Sequence, residues 1–311
     1  MTETISYTPD EVSKILKISR FTVYEMIKRG DLAAYRIGRK VRVEAPDLDV
    51  YIKNSKGNSL AASISEARPA EAASPVDDSI ILCGQDVILD ILARHLGKEM
   101  PHVRFLRNYV GSVDGLLALY RGTVNAVTAH LWDSDTDTYN LPYVRRFLPG
   151  HHTLIVNLAY RIEGFYVHKG NPKNLMTWED LSRPSVRLVN REPGAGARVL
   201  LDEKLRMLNI NHKSIIGYDH EQMSHLAVAS AVARDQADVG VGIEKVAQQV
   251  SGIDFIPLQK ERYDLIIRRE DSEKPQFQAL LSILRSQTFR NEVQGLGGYD
   301  LKHTGNILGE T

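Results

Sequence analysis

The stretch Val189-Asn190-Arg191-Glu192-Pro193-Gly194-Ala195-Gly196-Ala197-Arg198-Val199-Leu200-Leu201 passes from an apolar run, through a glycine-punctuated turn, into apolar residues at helical spacing. It reads as a strand, a loop and the start of a helix. Gly194 and Gly196 let the backbone come close to a ligand, and the first N–H groups of the helix have no partner within it. Those N–H groups and the positive end of the helix dipole attract an anion. Asn190, Arg191 and Arg198 add side-chain donors. Taken alone, the stretch is either half of a cleft for an anion or small molecule, or an ordinary connection whose glycines ease a tight turn.

On either side the same rhythm continues. Apolar runs at Ile80 to Cys83, Val103 to Leu106, Ala126 to Ala129, Thr153 to Tyr160, Gly164 to His168, Val186 to Val189 and Asp238 to Ile243 predict strands. Between them, Asp86 to Leu96, Asp114 to Arg121, Thr177 to Leu181, Gly196 to Leu208 and Glu221 to Arg234 predict helices. Such alternation predicts an α/β architecture with mostly parallel sheets, whose ligand loops lie at the carboxyl ends of the strands. Five loops are candidates: Cys83 to Asp86, Gly111 to Gly115 with Ser112, Ala129 to Asp133 with His130, Glu192 to Arg198 with Ala195 and Ala197, and Gly217 to Asp219 with Tyr218. Ser112 either donates to a ligand or caps its helix. His130 is either a ligand residue or a satisfied core histidine.

The 311 residues suffice for two or three domains, and 39 basic residues balance 39 acidic ones, so the whole chain has no electrostatic preference. A single cysteine, Cys83, forbids an internal disulfide framework and points to a reducing cytoplasm. No secretory leader or membrane-length apolar run is evident, so a cytoplasmic protein without a membrane partner is expected. The histidines do not fall into a metal-ligand spacing, and no structural zinc is expected. There is no phosphate-loop lysine motif, no nucleophile elbow and no defensible Cys and His arrangement, so an enzyme is not expected.

The first fifty residues differ in character. Thr8-Pro9-Asp10-Glu11 is a helix start: Thr8 caps, Pro9 suits the first turn, and Glu11 reaches back. A break near Ile18 and a second cap at Ser19 predict a second helix up to Gly30, so the pair makes a helix-turn-helix. Ala34 to Val43 then predicts a hairpin, and Pro46 to Ile52 a third short helix. Lys17, Arg20, Lys28, Arg29, Arg36, Arg39, Lys40 and Arg42 face only Glu25 and Asp31, a local positive field of the kind that meets phosphates. The order of these residues from Tyr7 to about Ile52 resembles the excisionase type of winged helix-turn-helix, a relative of the MerR head. That resemblance implies a double-stranded DNA operator as partner. It places Ser19, Arg20, Thr22, Val23 and Tyr24 at the start of a recognition helix, and Arg36, Arg39, Lys40 and Arg42 on a wing. A helical interaction module with a solvated basic face is the alternative.

Residues 57–79, rich in Ser, Ala, Glu and Pro, are expected to be a flexible linker between a head of residues 1–56 and a domain of residues 80–311. That domain resembles a type II periplasmic-binding-protein-like domain of the kind associated with molybdopterin-biosynthesis proteins and bacterial regulators. The matching stretches are Gly111 to Leu119, Ala129 to Pro142, Asn190 to Leu201, His225 to Gly242 and Leu296 to Asp300. The resemblance implies two α/β lobes, about 80–160 with 259–311 and about 161–258, crossing near Ala159 to Val167 and near Phe255 to Leu258. It also implies a ligand in the cleft, lined by Asp86, Ser112, His130, Asn190, Arg191, Gly194 to Arg198 and Tyr218. Where the family's loop commonly reads Gly-Ser-Gly-Thr-Arg, this chain has Gly194-Ala195-Gly196-Ala197-Arg198, which removes two hydroxyl donors and disfavours phosphate or sulfate. The expected protein is a ligand-responsive transcriptional regulator, a homodimer or homotetramer without a cofactor. By resemblance its effector is a small anion, molybdate or tungstate. The alternatives are a small organic acid or pterin effector, or a molybdenum-cofactor accessory protein or enzyme.

Overall fold

The computed structural model describes residues 6–16, 20–29, 32–37, 40–48, 51 and 79–311. The chain divides into two compact units, Met1–Ala73 and Ser74–Thr311. The expected linker, Ser19 and Arg39 lie almost wholly or wholly outside the described residues.

In the first unit, helices α1 (Pro9–Leu16) and α2 (Arg20–Arg29) follow strand β1 (Ser6–Tyr7), and β2 (Tyr35–Ile37) and β3 (Lys40–Glu44) form an antiparallel hairpin that β1 extends. Thr8 and Glu11 form the reciprocal cap: the Thr8 N–H donates to Glu11 Oε2 at 2.7 Å and the Glu11 N–H to Thr8 Oγ1 at 3.3 Å. Val12, Val23, Met26, Leu32, Val43 and Leu48 close the core, and residues 45–48 and 51 are helical.

The second unit is built on one nine-stranded sheet, with β7 (Trp132–Asp133) and β8 (Thr138–Tyr139) as a separate antiparallel pair. At one end β4 (Ser79–Cys83) lies parallel to β5 (Arg104–Asn108) and β6 (Ala126–Ala129); at the other, β10 (Leu188–Arg191) lies parallel to β11 (Glu221–Gln222) and β12 (Val239–Ile243). Two strands of 16 residues, β9 (Thr153–His168) and β13 (Ile253–Arg268), run antiparallel to each other and serve both ends. The first half of β9 packs with β14 (Ile307–Glu310) and its second half with β12, whereas the second half of β13 pairs with β6. The result is two lobes sharing two crossover strands.

Helices cover both faces of each lobe. In the first lobe α3 (Ile88–Glu99), α9 (Pro275–Arg285) and α10 (Gln287–Leu296) bury Ile88, Leu92, Leu280, Leu284 and Phe289 on one face, and α4 (Ser112–Tyr120) and α5 (Leu141–Phe147) bury Leu116, Leu119 and Val144 on the other. In the second lobe α6 (Gly196–Met207) contributes Leu201 and Leu205 to one core, while α7 (His225–Ala233), followed by the short α8 (Glu244–Ala247), contributes Val228, Ala229 and Val232 to another. Apolar burial of this kind, on both faces of a sheet, is the main driving term for each lobe.

Several boundaries differ from the sequence reading for local reasons. Asp86 stands outside α3 because its Oδ1 accepts the Ile88 N–H at 2.9 Å, so the helix starts later. The helix expected from Glu221 begins at His225, since Ser224 Oγ accepts the Ala227 N–H at 3.1 Å and Glu221–Gln222 joins the sheet beside β10. Thr153 to His168 is one strand rather than two. Its Gly164 sits where an added Cβ would lie 2.1 Å from the Ile256 carbonyl oxygen, so a missing side chain, not a break, explains the glycine. Thr177 to Leu181 is a short 3-10 turn, Trp178–Ser182, closed by a capping box of Thr177 and Asp180.

Candidate anion cleft between the lobes

The carboxyl ends of β4, β6, β10 and β12 all open on one cavity of about 200 Å³ between the lobes. Of the residues expected there, Asp86, Ser112, His130, Arg191, Ala195 and Gly196 line it. The other five lie elsewhere. Asn190 is a buried brace that donates to the Tyr218 carbonyl at 3.1 Å and accepts the Arg191 N–H. Ala197 faces the second-lobe core, and Gly194 spends its carbonyl on the Val113 N–H at 3.0 Å. Arg198, only 6% exposed, turns away from the cavity. Its guanidinium stacks 4.0 Å over the Tyr218 ring, donates to the Arg191 carbonyl at 3.0 Å and pairs with Asp202 and Glu221, so it fastens the loop from behind. Tyr218 completes that fastening through its hydroxyl on Asp202 at 2.7 Å.

The floor is a buried charge network carried by the crossover strands. Arg161 on β9 is clamped by Asp86 and Glu261 and lies 4.1 Å over the Tyr263 ring. Asp86 also accepts the Tyr299 hydroxyl at 2.8 Å. Burial, then the Asp86 carboxylate, pushes the Tyr299 hydroxyl far above its ordinary value, so it stays a donor. His130 Nδ1 is 2.6 Å from Glu261 Oε2. Burial opposes ionisation of Glu261, but Arg161 and then His130 outweigh it and hold its carboxyl well below the usual range. Glu163, two residues from Arg161 and on the same face of β9, is 1% exposed, and burial followed by the Glu261 carboxylate pushes it well above that range. Neither of its oxygens has a donor; only when protonated can it bond, to Glu261.

The walls hold the lobes together. Arg191 is neutralised by a fork on Glu192, both bonds at 2.7 Å, and reaches across to Gln85 Oε1 at 2.9 Å. Farther out, Arg206 meets Asp135 at 2.8 Å and the Lys204 ammonium lies 3.7 Å from the Trp132 ring centroid. With the Val113 and Gly194 contact, these bonds describe a closed cleft. Three helix starts then converge on the cavity: Gly111 and Ser112 at α4, Ala195 and Gly196 at α6, and Ser224 to Leu226 at α7. The first N–H groups of each helix lack intrahelical partners and carry the positive dipole end.

Gly196 has an additional cause. A Cβ there would lie 2.4 to 2.6 Å from three atoms of the His130 ring, so the glycine admits the imidazole. Cys83 is buried in the first lobe and its thiol is pushed up to about 11 by burial, which makes it inert packing. Sequence reading missed Arg161, Glu163, Glu261, His225 and Tyr299. Arg161 and Glu163 sit in the first expected crossing, where charge at alternate positions of an otherwise apolar run was the available signal; Glu261 lies just past the second expected crossing, in the polar run Gln259 to Arg262, which offered none.

In the first unit, Arg20, Thr22 and Tyr24 are exposed on α2, with the Arg20 guanidinium 5.6 Å from the Tyr24 ring centroid. Val23 is different: it is fully buried in the head core and presents nothing to a groove. Arg36 and Lys40 lie on β2 and β3, and Arg42 is half-buried on β3.

Comparison with known proteins accords with this geometry. Residues 93–285 match the PBP superfamily domain, and the chain is 41% identical over 312 residues to the uncharacterized protein YvgK of Bacillus subtilis (strain 168), covering all of both chains. The chain belongs to the PBP superfamily. Residues 6–56 match a helix-turn-helix domain, so this superfamily member carries a DNA-binding type of head on its ligand-binding type of domain. A Clostridium pasteurianum protein, uncharacterized and encoded in the 5′ region of a 2Fe-2S ferredoxin gene, is 56% identical over 112 residues, 36% of this chain and 99% of that one. Among solved structures, a Clostridium perfringens substrate-binding protein with bound phosphate superposes with a TM-score of 0.54 at 15% identity, over 71% of this chain and 98% of that one. An ABC-type phosphate transport receptor from Vibrio cholerae gives 0.50 at 17%, over 71% and 99%. At those identities the likeness is one of fold. Among the described residues no helix is long and apolar enough to cross a membrane.

Proposed function

We propose that the protein is a transcriptional regulator whose cleft closes on a small anion and thereby changes how paired heads engage an operator. The observation that carries this reading is the convergence of three helix N-termini on a cavity whose arginines are already neutralised by carboxylates. An anion there would be held by N–H groups and by the hydroxyls of Ser112 and Ser224, and it would add a bridge between lobes already in contact. Differential affinity for the closed form is what allows a ligand to move the equilibrium. Molybdate or tungstate is the inorganic effector proposed, in a cytoplasmic homodimer or homotetramer. A small organic acid or a pterin is the second reading. It is favoured by the size of the cavity, about 200 Å³, and by its apolar wall of Val87, Val110, Leu226 and Val246. Water takes about 30 Å³ per molecule in the liquid, so the space exceeds what a bare tetrahedral anion fills.

The test is thermal melting of the full chain with molybdate, tungstate, sulfate, phosphate and small carboxylates. At about 100 times the dissociation constant the linkage contributes about 2.7 kcal/mol, a readable shift. The same ligands are then added to an operator-binding assay in which Arg20→Ala is expected to weaken DNA binding and lower the salt slope by about one. Silence from every anion refutes the sensor; a response to carboxylates alone moves the effector to the second reading.

A further inference from the structure

The cluster beneath the cavity floor does not act as a simple ion-pair network, because one of its members, Glu163, has no donor or cation beside either oxygen. A His130 ring nitrogen, a Glu163 oxygen and a Glu261 oxygen lie within 4.8 Å of one another, and all three residues are buried. They come from the end of β6 and from the two crossover strands. The β9 and β13 register sets Glu163 opposite Gln259 and Arg161 opposite Glu261, so backbone pairing rather than side-chain choice fixes their approach. Both Glu163 oxygens are buried without a donor. The interior also holds three carboxylates, Asp86, Glu163 and Glu261, around one guanidinium, Arg161.

We propose that His130, Glu163 and Glu261 bind a divalent transition cation of the zinc or manganese class at the junction of the lobes. One imidazole nitrogen with two carboxylates is a donor set for such a cation, whereas calcium or magnesium would call for more oxygens. Metal-ligand bonds of about 2.0 to 2.2 Å would set the His130 and Glu261 donors about 3 Å apart or slightly more. They now stand 2.6 Å apart, so seating the cation asks for a small spread of two side chains. With Glu163 ionised, two positive charges balance the excess of carboxylates. Arg161 on the second Glu261 oxygen then orients that ligand, as outer-shell partners do. The same charge would raise the potential under the cavity, where Arg161 and Arg191 are each neutralised; that last consequence rests on the anion-sensing reading, while cation binding does not.

The experiment uses the untagged full chain, stripped with a chelator and titrated with cobalt(II) and zinc(II). It is followed by visible absorption of the cobalt form and by elemental analysis after gel filtration. The expected result is one equivalent of cation, with affinity reduced at least 10-fold in Glu163→Gln and in His130→Gln. The described residues include a second cluster, His168, Asp235 and Asp238, already tied up by Arg187 and Lys173, and Asp235→Asn should leave cation binding unchanged. Absence of a stoichiometric cation in the wild type overturns the proposal whatever the variants do. So does full retention in Glu163→Gln, or loss in Asp235→Asn. Should Glu163→Gln fail to fold, the wild-type stoichiometry and His130→Gln still decide.

Discussion

Replacing Gly196 with alanine tests the fit of the glycine loop against the floor it covers. The new Cβ would stand 2.4 to 2.6 Å from three His130 ring atoms, where ordinary contact begins near 3.4 Å, so the ring must retreat by about 1 Å. It cannot do so freely, being held by Glu261 at 2.6 Å and edge-on to Tyr263 with ring centroids 5.8 Å apart. Overpacking of this sort costs about 1–3 kcal/mol, partly offset by about 0.4–1 kcal/mol from the lower backbone entropy of the unfolded alanine chain. The net loss expected is about 1–2 kcal/mol, or a melting point lower by about 2–8 °C for a domain of this size. The assay is thermal unfolding of Gly196→Ala, His130→Ala and the double variant. With the imidazole gone, the alanine should cost nothing or stabilise slightly, giving a coupling equal to the overpacking alone, about 1–3 kcal/mol. An equal loss in both backgrounds would refute the packing account and return Gly196 to backbone conformation alone.

Other consequences are narrower. Arg198→Ala should lower the melting point, because it removes the stack on Tyr218 and the bond to the Arg191 carbonyl, while leaving the affinity for any stabilising anion within about twofold; calorimetric titration separates the two. Ser112→Ala should weaken the same anion by about 1.5–3 kcal/mol, the worth of a hydrogen bond to a charged group, without lowering stability as much. Burial opposes ionisation of Asp238, but bonds from the Arg187 side chain and N–H and from Lys173 bring its carboxyl down to about 2. Its contribution, roughly 2 kcal/mol, is therefore full above about pH 4 and fades toward pH 2. Asp238→Asn should accordingly be destabilised at pH 7, with the gap to the wild type closing on acidification; a pH-independent gap would contradict the pairing.

The alternation of strands and helices carried the α/β class because each apolar run had to be covered on both faces, and only a layered sheet does that. Loops at strand ends were legible for the same reason, and Asp86, Ser112, His130 and Arg191 follow from topology. The orientation of Arg198 did not. Its spacing from Gly196 is compatible with either side of the loop, and the choice is made by Tyr218 and Asp202, which the chain brings up from elsewhere. The floor was less legible still, since Arg161, Glu163 and Glu261 meet only through the register of two long strands. Val23 shows the converse limit: a motif position assigned to DNA is needed inside so small a core.

The two shared strands also impose an order on biosynthesis. The first lobe is interrupted by the second, and its sheet is completed only by β13 and by β14, which pairs with β9. A nascent chain can therefore form the compact head early, but it holds an unfinished sheet edge until β13 and β14 have been made, a phase in which exposed edges are open to wrong pairing. The cleft itself, needing Glu261 from β13 and Tyr299 beyond it, comes into being only after the whole of the second lobe has been made.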